Sequence, residues 1–156
     1  MESKAIFEAV KARFGDAAIE LQEEGFHPPF LVVSSASVRE IAFFLRDDPG
    51  MRFDSLMCLS GVDYKDRFAV AYHLHSLEVG HKIGVKAYLP RETPALPSVD
   101  PVWPAANFQE REAFDLYGIV FEGSRDLRRI LLPEDWEGHP LRKDYKYPDF
   151  YHGIKV

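Results

Sequence analysis

The chain has 156 residues, of which 46% are hydrophobic and 13% aromatic, enough for one domain with a substantial core and too apolar for a disordered tail. Its formal net charge of -6 argues against a generally basic nucleic-acid binder. Cys58 is the single cysteine, which excludes an internal disulfide, a cluster held by four thiolates and a Cys-rich zinc site, and fits a reducing compartment.

The N-terminal stretch lacks the apolar run of a signal peptide, and no segment reaches the roughly 18 apolar residues of a spanning helix, so neither export nor a membrane span is expected. Ile6, Phe7, Val10 and Phe14 recur at helical spacing, with Ser3 placed to cap the start and Gly15 the end. Ala17 to Leu21 and Phe30 to Val33 read as short strands. Ser37-Val38-Arg39-Glu40 matches a capping box opening a helix whose buried face is Val38, Ile41, Ala42 and Leu45. Asp47-Asp48-Pro49-Gly50 stops that helix. Three strands follow, over Ser55–Val62, Phe68–His75 and Lys82–Leu89. The last two alternate well and are joined by a turn at Glu78-Val79-Gly80-His81, which predicts an antiparallel pair.

The character changes at Pro90. Five of the eleven prolines fall between Pro90 and Pro104, which excludes a central strand or a long helix there. Asn107 is placed to cap a helix over Phe108–Tyr117 that Gly118 closes, and Ile119 to Phe121 reads as a final strand. The fold class is therefore α+β: a small mixed or antiparallel sheet packed by helices, then a short helix and an extended irregular C-terminal tail. The division is an α+β domain over 1–124, including the Pro-rich connection 90–104 and the helix near 108–117, and a tail over 125–156.

That tail carries seven Lys/Arg against six Asp/Glu, whereas the preceding residues carry twelve against nineteen. It shows no helical or strand period, yet contains Trp136, Tyr145, Tyr147, Phe150 and Tyr151. Irregular chain this rich in aromatics must pack on its own domain or on a partner, and Trp, Tyr and Arg are typical interface anchors.

Chemical motifs are few. There is no phosphate-binding glycine loop and no Gly-x-Ser-x-Gly elbow. Cys58 lies mid-strand and reads as a small core residue. His73 and His75 share a strand face, with His81 across the turn, but no carboxylate completes a metal set by spacing. Glu110, Glu112 and Asp115 share one short helix without a visible pocket, so surface or interface ion pairing is their default role. His139 reads as a hydrogen-bonded loop anchor; an acid–base role with Asp135 or Asp144 is the alternative.

Three blocks in order carry a specific resemblance: Glu110-Arg111-Glu112-Ala113-Phe114-Asp115-Leu116-Tyr117-Gly118-Ile119, Leu127-Arg128-Arg129-Ile130-Leu131, and Asp135-Trp136-Glu137-Gly138-His139-Pro140-Leu141-Arg142-Lys143-Asp144-Tyr145. Together with Trp103-Pro104-Ala105-Ala106-Asn107 they resemble the 30 kDa subunit family of respiratory complex I. The resemblance implies a non-catalytic scaffold subunit in the hydrophilic arm of a proton-pumping NADH:quinone oxidoreductase, peripheral on the cytoplasmic side of the inner membrane. It implies no catalytic, cofactor-binding or metal-binding residue on this chain: NADH, FMN, iron–sulfur clusters and quinone would sit on partner subunits. Those partners would be the quinone-site large subunit and neighbouring iron–sulfur subunits, with no nucleic acid. Arg111 and Asp115 would hold the short helix, and Arg128, Arg129, Trp136, His139, Arg142, Lys143 and Tyr145 would brace the tail. Glu110, Glu112, Tyr117, Gly118, Gly138, Pro140 and Asp144 complete the signature positions. Ser124-Arg125 stands where many relatives have His-Pro, which leaves open a related subunit of a reduced-deazaflavin dehydrogenase or a membrane-bound hydrogenase.

Overall fold

A computed structural model describes residues 1–155. Helix α1 (Ser3–Phe14) buries Ile6 and Val10 and leads through one tight turn into strand β1 (Ala18–Gln22). Strand β2 (Phe30–Val33) returns antiparallel to it, and helix α2 (Val38–Asp47) buries Val38, Ile41, Ala42 and Leu45 as its periodicity requires. Strands β3 (Ser55–Asp63), β4 (Arg67–His75) and β5 (Lys82–Pro90) follow as an antiparallel meander. Strand β2 lies parallel to β5, so the five-stranded sheet is mixed, in the order β1-β2-β5-β4-β3.

Register decides which side chains meet the helices. Leu31 opposes Val85, Val70 opposes Ala87 and Tyr72 opposes Val85, and all of these lie in one cluster with Ile6, Val10, Ile41 and Leu45. The other face carries Ala69, Ala71, His73 and Lys86, none of which belongs to that cluster. Lys86 is buried there against the rings of Phe26 and Phe30, 4.4 and 4.6 Å from their centroids.

The Pro-rich connection contributes a three-residue strand, β6 (Ala95–Pro97), and a turn over residues 99–103. Trp103 anchors this stretch by donating its indole N–H to the Phe53 carbonyl at 2.9 Å. Helix α3 (Ala106–Tyr117) follows, and β7 (Val120–Glu122) pairs parallel with β6. Arg39 ties this small sheet to α2 by donating to the carbonyls of Ser98 and Glu122. The last elements are a two-residue pair, β8 (Phe150–Tyr151) and β9 (Ile154–Lys155). Val156, the end of the 125–156 tail, lies outside the described residues.

Several local expectations are corrected. None of the three helices has a side-chain cap: Ser3 is already helical and donates to Glu23, and Ser37 closes a tight turn over Ser35–Ser37. Helix α3 starts at Ala106, two residues early, so Asn107 lies inside it. Cys58 is exposed, because a bulge between Leu56 and Cys58 turns both Met57 and Cys58 outward while Leu56 and Leu59 stay buried. His73 packs edge-on against Phe30 and His81 donates from Nε2 to the Met51 carbonyl, so these two histidines have separate structural neighbours.

Candidate functional site

Helix α3 lies along the edge strand β3. Gly61 allows that approach: a Cβ there would stand 2.7 Å from the Tyr117 ring. Gln109 covers part of the open strand edge by accepting the Leu59 N–H. Helix α3 also receives the tail, and is the support on which residues 128–142 are laid.

Two acidic residues expected to pair at the surface are instead fully buried. Glu110 has no exposed surface; it accepts from the Ser98 hydroxyl at 2.6 Å and the Val99 N–H at 2.7 Å. Burial pushes its carboxyl up to about 7, more than those two bonds pull it down, with nearby Asp100 adding to the rise. Asp115 is equally buried and accepts three consecutive N–H groups, from Ile130, Leu131 and Leu132, at 3.1, 2.8 and 2.9 Å. Its other oxygen takes an Arg129 N–H at 2.8 Å. Burial alone would raise its carboxyl, but these bonds together hold it below the ordinary 3.8. Glu112 is exposed on the outer side of α3.

Arg111 and Asp115 stand one turn apart and do not bond each other; each grips the tail. Arg111 donates to the carbonyls of Arg128 and Arg129 at 3.2 and 2.9 Å, while Asp115 takes the N–H groups just beyond. The backbone over residues 128–132 thus has its donors met by an acid and its acceptors by a base, without secondary structure. Arg129 reaches onward to the carbonyls of Trp136 and Gly138 at 2.7 and 3.0 Å, and Arg128 turns outward to Asp126 at 2.8 Å.

The second block closes over the C-terminus of α3. His139 Nδ1 lies 2.9 Å from the Asp115 carbonyl, which can only accept, so Nδ1 carries the proton. Burial, reinforced by Arg142 and Arg129 and only partly offset by that bond, holds the ring below its usual pKa and therefore neutral near pH 7. Arg142 donates to the Tyr117 carbonyl at 2.6 Å, a cation on the negative end of the helix. Gly118 has φ 73°, and a Cβ there would meet His139 and Arg142 at 2.6 Å, so both the left-handed backbone and the space demand glycine. Pro140 is half-buried beside them.

A charged clasp fixes the next residues to the sheet. Asp63, at the end of β3, takes the Lys143 N–H and the Arg91 guanidinium, both at 2.8 Å, and the Lys65 N–H at 2.7 Å. Against the penalty of burial, these bonds bring its carboxyl down to about 2. Arg91 also pairs with Asp144 at 2.8 Å. Asp63 and Arg91 carried no sequence signal; the partners are 80 positions apart along the chain at Lys143, which no spacing rule reaches. Beyond the clasp, Trp136 donates to the Tyr145 hydroxyl at 3.0 Å, which donates to the Glu137 carbonyl at 3.1 Å. Gly138 sits under the Tyr145 ring. Asp135 is held by Tyr151 and His152 and Asp144 by Arg91, so His139 has neither carboxylate as a hydrogen-bond partner among the described residues.

Four large apolar side chains of the tail face outward. Leu131, Tyr147, Phe150 and Ile154 are 62–71% exposed. Among the described residues no three His, Cys, Asp or Glu side chains gather as metal ligands, and no helix is long and apolar enough to cross a membrane. The arrangement is a braced surface with paired charges beneath and apolar side chains above.

The model of the family described as respiratory-chain NADH dehydrogenase, 30 kDa subunit, matches residues 31–151. An NADH-quinone oxidoreductase subunit from Chloroherpeton thalassium is 49% identical over 152 residues, covering 96% of this chain and 63% of its own length. Its namesake from Chlorobium phaeobacteroides is 44% identical over 158 residues, covering 99% of this chain and 95% of its own. This chain thus spans less than two thirds of the first relative and nearly all of the second. A solved trypsin-resistant fragment of Nqo5 shares 33% identity at TM-score 0.67, covering 81% of this chain and all of the fragment. A chain of an archaeal membrane-bound sulfane sulfur reductase shares the fold at TM-score 0.73 with 22% identity.

Proposed function

The chain belongs to the respiratory-chain NADH dehydrogenase 30 kDa subunit family, and from that premise we propose that it is a scaffold subunit of a proton-pumping NADH:quinone oxidoreductase. In this reading it is peripheral, on the cytoplasmic side of the membrane, and packs on the quinone-site large subunit and neighbouring iron–sulfur subunits. NADH, FMN, clusters and quinone are bound by those partners, and this chain contributes shape and charge rather than chemistry. One observation carries the reading: an irregular tail is held from beneath by hydrogen bonds to Asp115, Arg111 and Asp63 while Leu131, Tyr147, Phe150 and Ile154 stay exposed. A tail that served only its own core would bury those side chains; one prepared for a partner presents them already ordered, which lowers the entropy cost of docking.

The test is affinity purification of the tagged full chain from solubilised membranes. The reading expects the quinone-site subunit and a cysteine-rich subunit to co-purify with NADH:quinone reductase activity. Recovery of the chain alone, or with one soluble partner and no respiratory subunit, would count against it.

A further inference from the structure

One pocket opens on the outer side of the braced tail. Asp135, Trp136 and Glu137 form one side and Phe150, Tyr151 and His152 the other, around a cavity of about 270 Å³. That lies below the roughly 300–1,000 Å³ of small-molecule sites and suits a single side chain. The walls are aromatic: the Trp136 and Tyr151 rings are 5.0 Å apart at 46°, and Phe150 is 63% exposed. The rim carries the carboxylates of Asp135 and Glu137, with His152 beside Asp135. Tyr151 donates to Asp135 at 2.7 Å and His152 lies 2.6 Å from its other oxygen, and these bonds hold the Asp135 carboxyl below its ordinary range. Glu137 has no ion-pair partner among the described residues, so its charge is open to an incoming cation.

Aromatic faces are negative at their centres and attract cations, and a carboxylate rim adds to that field. A flat guanidinium satisfies both at once, stacking on a ring while its N–H groups reach a carboxylate, which a round ammonium cannot do as well. We propose that this pocket receives an arginine side chain from a partner protein, stacked on the aromatic wall and paired with Glu137. The proposal rests on the scaffold reading above and names the chemistry by which part of the tail meets its neighbour. A protein side chain is favoured over a small cation because the pocket is open and continuous with the exposed apolar surface of the tail.

The experiment places a photo-reactive residue at Asp149, which is exposed beside the pocket, in the full chain within the assembled membrane complex. The complex is purified through a different subunit, checked for the presence of the chain, irradiated and mapped. The expected adducts fall within a few residues of an arginine on a neighbouring subunit. Glu137→Lys, whose side chain bonds nothing in the bracing, lowers the adduct yield about tenfold or more, as reversal of a close interfacial pair does. Adducts on lipid, on a segment without arginine, or of equal yield after charge reversal, with the chain present in the complex, overturn the pocket assignment and leave the scaffold reading standing. Absence of the chain from the complex before irradiation overturns both.

Discussion

Asp115→Asn separates the bracing of the tail from the stability of the body. The substitution keeps side-chain size but turns one carboxylate oxygen into an N–H₂ group. If the remaining oxygen keeps the Ile130, Leu131 and Leu132 amides, the new donor faces the Arg129 guanidinium, which is only 15% exposed and loses its counter-charge. Breaking a buried pair from one side costs about 3–5 kcal/mol, and the lower end applies because Arg129 keeps its carbonyl partners at Trp136 and Gly138. About 3 kcal/mol corresponds to opening roughly 100-fold more often. Amide hydrogen exchange followed by mass spectrometry reads this directly: residues 130–132 should exchange about 100-fold faster while β4 and β5 are unchanged. Unchanged exchange at 130–132 would refute the role of Asp115, and equal acceleration throughout the sheet would refute its restriction to the tail. Acid should mimic the variant. The native carboxyl lies below its unfolded value of 3.8, so its contribution is complete above that pH and is lost as pH falls through the native value.

Glu110 has the opposite sign. Its carboxyl titrates near 7 in the fold against 4.5 unfolded, so the native state holds the extra proton and stability falls as pH rises across that window, by about 3 kcal/mol in all. Urea unfolding of the parent and Glu110→Gln at pH values spanning about 4.5 to 7 should show the parent losing that margin relative to the variant; a constant difference would contradict the assignment. Asp63 titrates near 2 against 3.8, so its contribution of about 2 kcal/mol is complete above pH 3.8 and fades toward pH 2. Asp63→Asn should accordingly narrow the stability gap between neutral and acidic solution, measured by thermal unfolding. Gly118→Ala should displace His139 and Arg142, lowering the melting temperature by several degrees, roughly 2–4 °C per kcal/mol at this size. An unchanged melting temperature would show that the loop yields freely.

Much of the body was legible because it follows period and punctuation. The helical face Val38, Ile41, Ala42 and Leu45, the β4–β5 hairpin and the stop at Gly118 all lie in local pattern, and the α+β class follows from them. The parallel pairing of β2 with β5 did not, since a four-residue apolar strand has no preference for direction. Capping failed as a guide: Ser37-Val38-Arg39-Glu40 has the right spelling, but the preceding tight turn leaves Ser37 outside cap geometry. Cys58 was misplaced because a bulge breaks the two-residue alternation. At the candidate site, the residue types were visible but not their burial. Glu110 and Asp115 look like any acids on an amphipathic helix, and only the tail laid over them makes them interior. The Asp63–Lys143 contact joins residues 80 apart and depends on the whole fold being in place.

The central claim is that the exposed apolar side of the tail is a prepared docking surface. Hydrogen exchange of residues 145–155, compared between the free full chain and the chain within the isolated membrane complex, tests it most directly. The account predicts that these amides, on the segment carrying exposed Tyr147, Phe150 and Ile154, become strongly protected on assembly, whereas those of 130–132 are already protected in the free chain. Equal exchange of residues 145–155 in the two states would contradict it.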